Sequence, residues 1–190
     1  KPGTLVLWDI ALHDAFAKFL EIPVAAIYGQ HHYTLPTSVT IGIMNVADTV
    51  KEAEEYVKQG FKVLKIKTGQ EVEVDIERIK KVNEKFRNIK IRVDANQGYE
   101  IKDLEKFIKA THTLGLEIIE QPLLVGKENE LAAIDPYYRS ILVADESLKN
   151  SNSAINFAPS PQPFGIFNIK LMKCGGLLAA QEIATIAKAG

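Results

Sequence analysis

Five charged residues recur at nearly constant spacing: Lys67, Asp94, Glu120, Asp145 and Lys170, separated by 27, 26, 25 and 25 residues. Each closes a short apolar run that reads as a strand. One charge at one strand end serves solubility, but five in register, ordered Lys, acid, acid, acid, Lys, exceed what solubility needs. Three carboxylates at adjacent strand ends cannot all stay ionised without a cation among them. All-oxygen ligation by Asp94, Glu120 and Asp145 selects a hard, octahedral ion, so Mg2+ is favoured and Mn2+ is the second choice. Lys65 and Lys67 lie two apart in one run and so share a strand face. Their repulsion should lower the pKa of at least one and let it act as a base near neutral pH.

Lys170 supplies the second amine. In an eight-stranded ring strands four apart face each other, so Lys67 on the second strand and Lys170 on the sixth would flank a bound substrate. A carboxylate's α-proton is too weakly acidic for an unaided lysine, and a metal that takes up the charge makes its removal feasible. Asn96 and Gln97 could hold the ligands by hydrogen bonds, although Asn96 also reads as a cap for the next helix. Asn168, two before Lys170, would share its face and orient it. Glu146 should point to the opposite side of its strand from Asp145.

The positioning elements alternate. Thr4 to Leu20 reads as a helix with Trp8, Ala11, Leu12, Ala15 and Phe19 on one face, stopped at Glu21-Ile22-Pro23. A loop with His31-His32-Tyr33 follows, where solvated residues explain the histidines better than a metal site without a third ligand. Strands are expected at Val39–Ile43, Phe61–Lys67, Ile89–Asp94, Leu116–Glu120, Ile141–Asp145 and Ile166–Lys170. Helices fall between them at Val46–Gln59, Val72–Arg87, Ile101–Thr113 and Asn129–Ile134, with Leu177–Lys188 last. Lys149 to Pro163 holds at most a short helix. This alternation means parallel strands with right-handed crossovers, and no Gly-x-Gly-x-x-Gly turn follows the first strand. An α/β architecture of the (β/α)8 TIM-barrel type therefore fits better than an open nucleotide-binding sheet, with the charged residues at its mouth.

Composition narrows the class. The 190 residues carry a formal net charge of -1 with 46% hydrophobic residues, which suits one sizeable core and gives nucleic acid or an anionic membrane no reason to bind. No run is long enough to span a bilayer. The single cysteine, Cys174, excludes an internal disulfide and fits a reducing cytoplasm.

From about Leu7 to Gly190 the chain resembles the enolase superfamily, muconate-lactonising subgroup. The matching motifs are Lys65-Ile66-Lys67, Val93 to Gly98, Ile119-Glu120-Gln121-Pro122, Ala144 to Ser147 and Asn168 to Gly176. A lysine base with a Mg2+-stabilised ene-diolate is a known pattern of that superfamily. The resemblance implies Asp94, Glu120 and Asp145 as Mg2+ ligands, Lys67 and Lys170 as the acid-base pair, and Lys65 near the substrate carboxylate. Thr37 to Ile41 and Tyr56 to Phe61 look most like dipeptide epimerases of the L-Ala-D/L-Glu type, which would put Thr40 at the substrate. The expected function is a Mg2+-dependent isomerase that removes and returns the α-proton of a dipeptide or related carboxylate through an enolate. Muconate cycloisomerase, o-succinylbenzoate synthase and N-acylamino acid racemase are alternatives on the same scaffold, and a non-catalytic barrel segment is another. The expected partner is a small carboxylate, with a homo-oligomer left open.

Gly165 stands where relatives commonly carry an Asp. The resemblance also implies that residues 1–36 are a linker helix and loop from a capping domain. On the same footing, residues 37–190 hold about six of eight strand-helix units. A fragment of that kind, uncapped and open, is expected to be inactive alone.

Overall fold

The computed structural model describes residues 2–29 and 32–189, so His31 lies outside the described residues. In chain order the elements begin with α1 (Pro2–Phe19), α2 (Val24–Ile27), β1 (Val39–Ile41), α3 (Val46–Lys58), β2 (Val63–Lys67) and α4 (Val72–Lys85). Next come β3 (Lys90–Asp94), α5 (Ile101–Thr111), β4 (Ile118–Glu120), α6 (Pro136–Arg139) and β5 (Leu142–Ala144). Last are α7 (Ser151–Phe157), β6 (Ile166–Phe167), α8 (Leu171–Cys174) and α9 (Leu177–Ala189). The chain forms two compact units, Pro36–Ser147 with Pro161–Ile166, and Lys1–Leu35 with Leu148–Ser160 and Phe167–Gly190.

The unit around Pro36–Ser147 holds the parallel ladder. The sheet order follows the chain from β1 to β6, and each of β1 to β4 pairs in parallel with its successor. Register separates two faces. Ile41, Leu64, Ile66, Ile91, Val93, Ile119 and Leu142 fall on one face and are all buried. The helices add their own apolar stripes to this core, with Ile76, Ile79 and Val82 from α4 and Leu104, Phe107 and Ile108 from α5. Each fully buried aliphatic side chain contributes roughly 1.5–3 kcal/mol. Local chemistry starts and stops these helices. Asn45 caps α3 by accepting from the Asp48 N–H, Glu100 and Asp103 form a capping box on α5, and Gly115 ends the turn after α5 at φ 64°.

Several expected boundaries move. The helix expected at Asn129–Ile134 is a 3-10 helix, Glu128–Ala133, and the one-turn helices α2, α6 and α8 were not foreseen. One turn is too short to show a hydrophobic period. β6 is two residues long, so Asn168 and Lys170 lie beyond it, and the alternation expected to put them on one strand face does not apply. Gly165 is required where it stands. Its N–H bonds the carbonyls of Arg139 and Leu142, and a Cβ would lie 2.3 Å from the Ser140 carbonyl oxygen.

The second unit holds α1, α2, α7, α8 and α9. Its α1 turns Val6, Asp9, His13 and Ala17 inward, not the expected stripe, for Trp8, Leu12 and Phe19 are exposed. Asp9 explains the choice of face, because its Oδ2 accepts the N–H of Leu177 at the start of α9 at 2.5 Å. Tyr28 and the His13 ring share a short hydrogen bond. Among the described residues no helix is long and apolar enough to cross a membrane.

Candidate active site at the strand ends

The second face of the ladder carries the polar residues. Thr40 pairs with Lys65 and Lys65 with Arg92; one step along, Lys67 pairs with Asp94 and Asp94 with Glu120. Glu120 pairs with Val143, and Asp145 follows two residues later, just past the end of β5 at the same end of the ladder. Backbone hydrogen bonds run on past the ladder and hold these ends together. The Thr68 N–H bonds the Asp94 carbonyl at 2.9 Å, Ala95 bonds Glu120 at 3.1 Å, and Gln121 bonds Val143 at 2.9 Å.

Asp94, Glu120 and Asp145 are each 2–3% exposed. Buried carboxylates demand a cation, and for Asp94 and Glu120 lysine ammonium groups meet that demand. Lys65 Nζ stands 2.8 Å from Asp94 Oδ2 and 2.7 Å from Glu120 Oε2. Lys67 Nζ donates to Asp94 Oδ2 at 2.8 Å and to Asn96 Oδ1 at 2.5 Å. Burial pushes the Asp94 carboxyl up, but the hydrogen bonds and charges of Lys65 and Lys67 outweigh it, and its pKa is lowered. Burial likewise pulls the Lys65 ammonium down, yet Asp94 and Glu120 leave its pKa raised. Lys65 is therefore not an amine weakened by its neighbour. Two carboxylates within hydrogen-bond distance exceed the repulsion from one neighbouring ammonium.

The donor set suits a hard divalent ion: three buried carboxylates at or just past the ends of three consecutive strands, with no sulfur or imidazole among them. The side chains of Asp94 and Glu120 converge on Lys65. Among the described residues no group of three or more His, Cys, Asp or Glu is arranged to hold a metal. The backbone thus brings the three acids to one end of the ladder, with Asp94 and Glu120 on one face and both engaged by an ammonium.

Other residues fall into place around these. Thr40 is exposed on β1 beside Lys65. Asn96 does not cap α5, whose cap is Glu100; its amide links Lys67 to Glu146, donating to Glu146 Oε1 at 3.2 Å. Sequence reasoning missed Glu146 because alternation turned it away from Asp145. The strand ends at Ala144, however, and beyond it alternation no longer governs. Arg78 was missed as well. It is fully buried and holds the ends of β1 and β2 through the carbonyls of Gly42 and Lys67, both at 2.7 Å, with Asp75 as its ion partner. An Asp and an Arg three apart, Asp75 and Arg78, within the apolar stripe of α4 were the available signal. Lys170 and Asn168 belong to the other unit, where Lys170 is the exposed N-cap residue of α8 and Asn168 is half-buried.

The chain matches the family model described as enolase C-terminal domain-like over residues 48–190. It is 50% identical over 187 residues to an L-Lys-D/L-Arg epimerase of Desulforapulum autotrophicum, covering 98% of this chain and 52% of that one. An L-Ala-D/L-Glu epimerase of Bacillus subtilis is 33% identical over 189 residues, with coverage of 95% and 50%. The crystal structure of the dipeptide epimerase from Methylococcus capsulatus, complexed with Mg and the dipeptide L-Arg-D-Lys, is similar at a TM-score of 0.94. It shares 43% identity over 99% of this chain and 53% of that one. The chain spans about half the length of the curated relatives it matches.

Proposed function

This chain belongs to the enolase C-terminal domain-like family, and on that footing we propose that the whole protein carrying it is a Mg2+-dependent dipeptide epimerase. The observation that carries the reading is the register of Lys67, Asp94 and Glu120 in one row, with Asp145 two residues past the row's next member. Asp94, Glu120 and Asp145 hold the ion, and Mn2+ substitutes for it. When bound, the ion takes up negative charge on the substrate carboxylate as the α-proton leaves. Lys65 adds positive charge at the same end, and Thr40 contacts the substrate.

Lys67 moves the proton on one side. An ammonium has three hydrogens; Asp94 and Asn96 accept two of them, which aims the third position at a substrate. Lys170 serves the other side of the α-carbon. Its support is its place after β6, as many residues from Asp145 as Asp145 is from Glu120, together with the likeness to epimerases, whose reaction needs a proton removed from one face and returned to the other. Asn168 orients Lys170.

The substrates are dipeptides with cationic side chains, since identity is higher to an L-Lys-D/L-Arg epimerase than to L-Ala-D/L-Glu epimerases. The test is the full-length protein with Mg2+ and L-Lys-L-Arg in D2O. Deuterium should appear on the α-carbon of the C-terminal residue together with inverted configuration. Exchange without inversion would overturn a two-base epimerase. Turnover of N-succinyl-L-arginine in place of dipeptides would favour racemisation instead, the activity for which a Bacillus cereus relative with 34% identity is named.

A further inference from the structure

Gln121 follows Glu120 directly and is 1% exposed, at a non-glycine φ of 36°. Such a backbone is uncommon for a residue with a side chain, and it persists only where surrounding contacts over-determine it. Here every polar group of the residue is engaged. The main-chain N–H donates to the Val143 carbonyl at 2.9 Å, and the carbonyl accepts from the Gln97 N–H at 2.7 Å. The side-chain Oε1 accepts from the N–H groups of Asp145 at 2.9 Å and Ser147 at 3.0 Å. Nε2 donates to the Leu123 carbonyl at 3.0 Å and to Ser147 Oγ at 2.8 Å.

The orientation of the amide is dictated by its neighbours. Two N–H groups face Oε1, which must therefore be the oxygen. Ser147 Oγ donates its only hydrogen to Glu128 Oε1 at 2.6 Å, so toward Gln121 it can only accept. The buried Gln121 side chain thus ties the backbone of Asp145 to that of the residue after Glu120, and the Gln121 main-chain carbonyl reaches the loop three residues after Asp94. These are the three loops that begin at the acids.

We propose that Gln121 is a positioning residue that sets the spacing of the Glu120 and Asp145 carboxylates and thereby favours Mg2+ over the larger Ca2+. The inference rests on the reading that these acids hold a divalent ion. Mg2+ requires near-ideal octahedral ligands at about 2.0–2.1 Å, whereas Ca2+ accepts irregular shells at about 2.3–2.6 Å. A rigid frame therefore benefits Mg2+, and loosening it penalises Mg2+ more than Ca2+.

Gln121→Glu keeps the shape and replaces Nε2 by an oxygen, and because the charge it brings acts on both divalent ions alike, the Mg2+/Ca2+ ratio is the quantity read. That oxygen would face the Leu123 carbonyl and a Ser147 hydroxyl whose hydrogen is already used. Binding of Mg2+ alone and Ca2+ alone to the full-length protein is measured by calorimetry, with thermal melting of the metal-free protein alongside. Gln121→Glu should weaken Mg2+ by about tenfold or more, the usual range for residues that hold metal ligands, and Ca2+ by a clearly smaller factor. Ser147→Ala, which removes one of the six hydrogen bonds, should move the Mg2+/Ca2+ ratio the same way by less, and it decides the matter if Gln121→Glu does not fold. Equal losses for both ions, or an unchanged ratio in a folded variant, would overturn the role of Gln121. Wild-type protein that binds neither ion would overturn the metal reading and this inference with it.

Discussion

Arg78 Nη1 donates to the carbonyl oxygen of Lys67 at 2.7 Å from a side chain with no solvent exposure. The same guanidinium reaches the Gly42 carbonyl, Thr49 Oγ1 and Asp75, and Asp75 in turn accepts from the Gly69 N–H and the Tyr99 hydroxyl. A buried ion pair thereby joins the ends of β1 and β2, where Thr40, Lys65 and Lys67 are carried. Removing one partner of such a pair leaves an uncompensated buried charge. Arg78→Met should lower unfolding free energy by about 3–5 kcal/mol, read from urea denaturation. A loss below about 1 kcal/mol would mean that the network contributes little.

Backbone approach between the loops after β2 and β3 leaves no room for a side chain. A Cβ on Gly98 would lie 2.0 Å from the Gly69 carbonyl oxygen. Gly60, by contrast, has φ +96° with nothing within 4 Å of a Cβ. Gly60→Ala should cost only its backbone term, about 1–2 kcal/mol. Gly98→Ala must push two loops apart and should in addition lower activity of the full-length protein, because those loops follow Lys67 and Asp94. Equal stability and equal activity for the two variants would contradict this.

Removal of one amine should separate exchange from inversion. Lys67→Ala in the full-length protein should abolish epimerisation, a loss of at least about 10²–10⁴-fold. Solvent deuterium should still enter the one epimer whose proton faces Lys170. NMR of each epimer in D2O reads this directly. Loss of exchange from both epimers alike would argue against separate roles for the two lysines.

Mg2+ should raise the melting temperature of the full-length protein, since a ligand bound only to the native state stabilises it by mass action. Asp145→Asn should remove most of that rise while leaving the Lys65 contacts to Asp94 and Glu120 in place. A variant that retains the full Mg2+ shift would exclude Asp145 as a ligand.

Glu117 lies at the other end of the ladder, with Lys90 Nζ at 2.8 Å and Arg92 Nε at 2.5 Å. Burial raises its carboxyl somewhat, but these two cations outweigh it, and its pKa is lowered. A carboxyl depressed on folding adds stability that is full above its unfolded value, about 4.3, and is lost as pH falls through the folded value. Glu117→Gln should therefore be less stable than the wild type at pH 6, with the gap closing as pH falls below about 4. Urea midpoints at pH 6, 4 and 3 read the difference, and a gap that does not change with pH would rule out ionisation as its origin.

The parallel strands, their order and the face shared by Lys65, Lys67, Asp94 and Glu120 were legible because period-2 and period-3.6 patterns are strong over the buried segments. Lys67, Asp94 and Glu120 fell in one row as their spacing implied. Residues outside regular structure were harder. Glu146 and Gln121 act where the strands have just ended, and there alternation says nothing about direction. Lys170 was expected within a strand and instead caps a one-turn helix, because β6 pairs over only two residues. The apolar stripe of α1 was legible but did not predict which side turns inward; the Asp9 bond to Leu177 decided that.

Residue types and their spacing alone determined that acids and amines gather at one end of a parallel ladder, since strand pairing requires only local periodicity and near-equal crossover lengths. Contacts between residues far apart in the chain decided the rest. Lys65 bridges two carboxylates, and Arg78 and Gln121, neither of them singled out by its type or spacing, hold the strand ends in place. Such contacts depend on which buried groups must find hydrogen-bond partners once the backbone has closed around them, and no one-dimensional pattern carries that information.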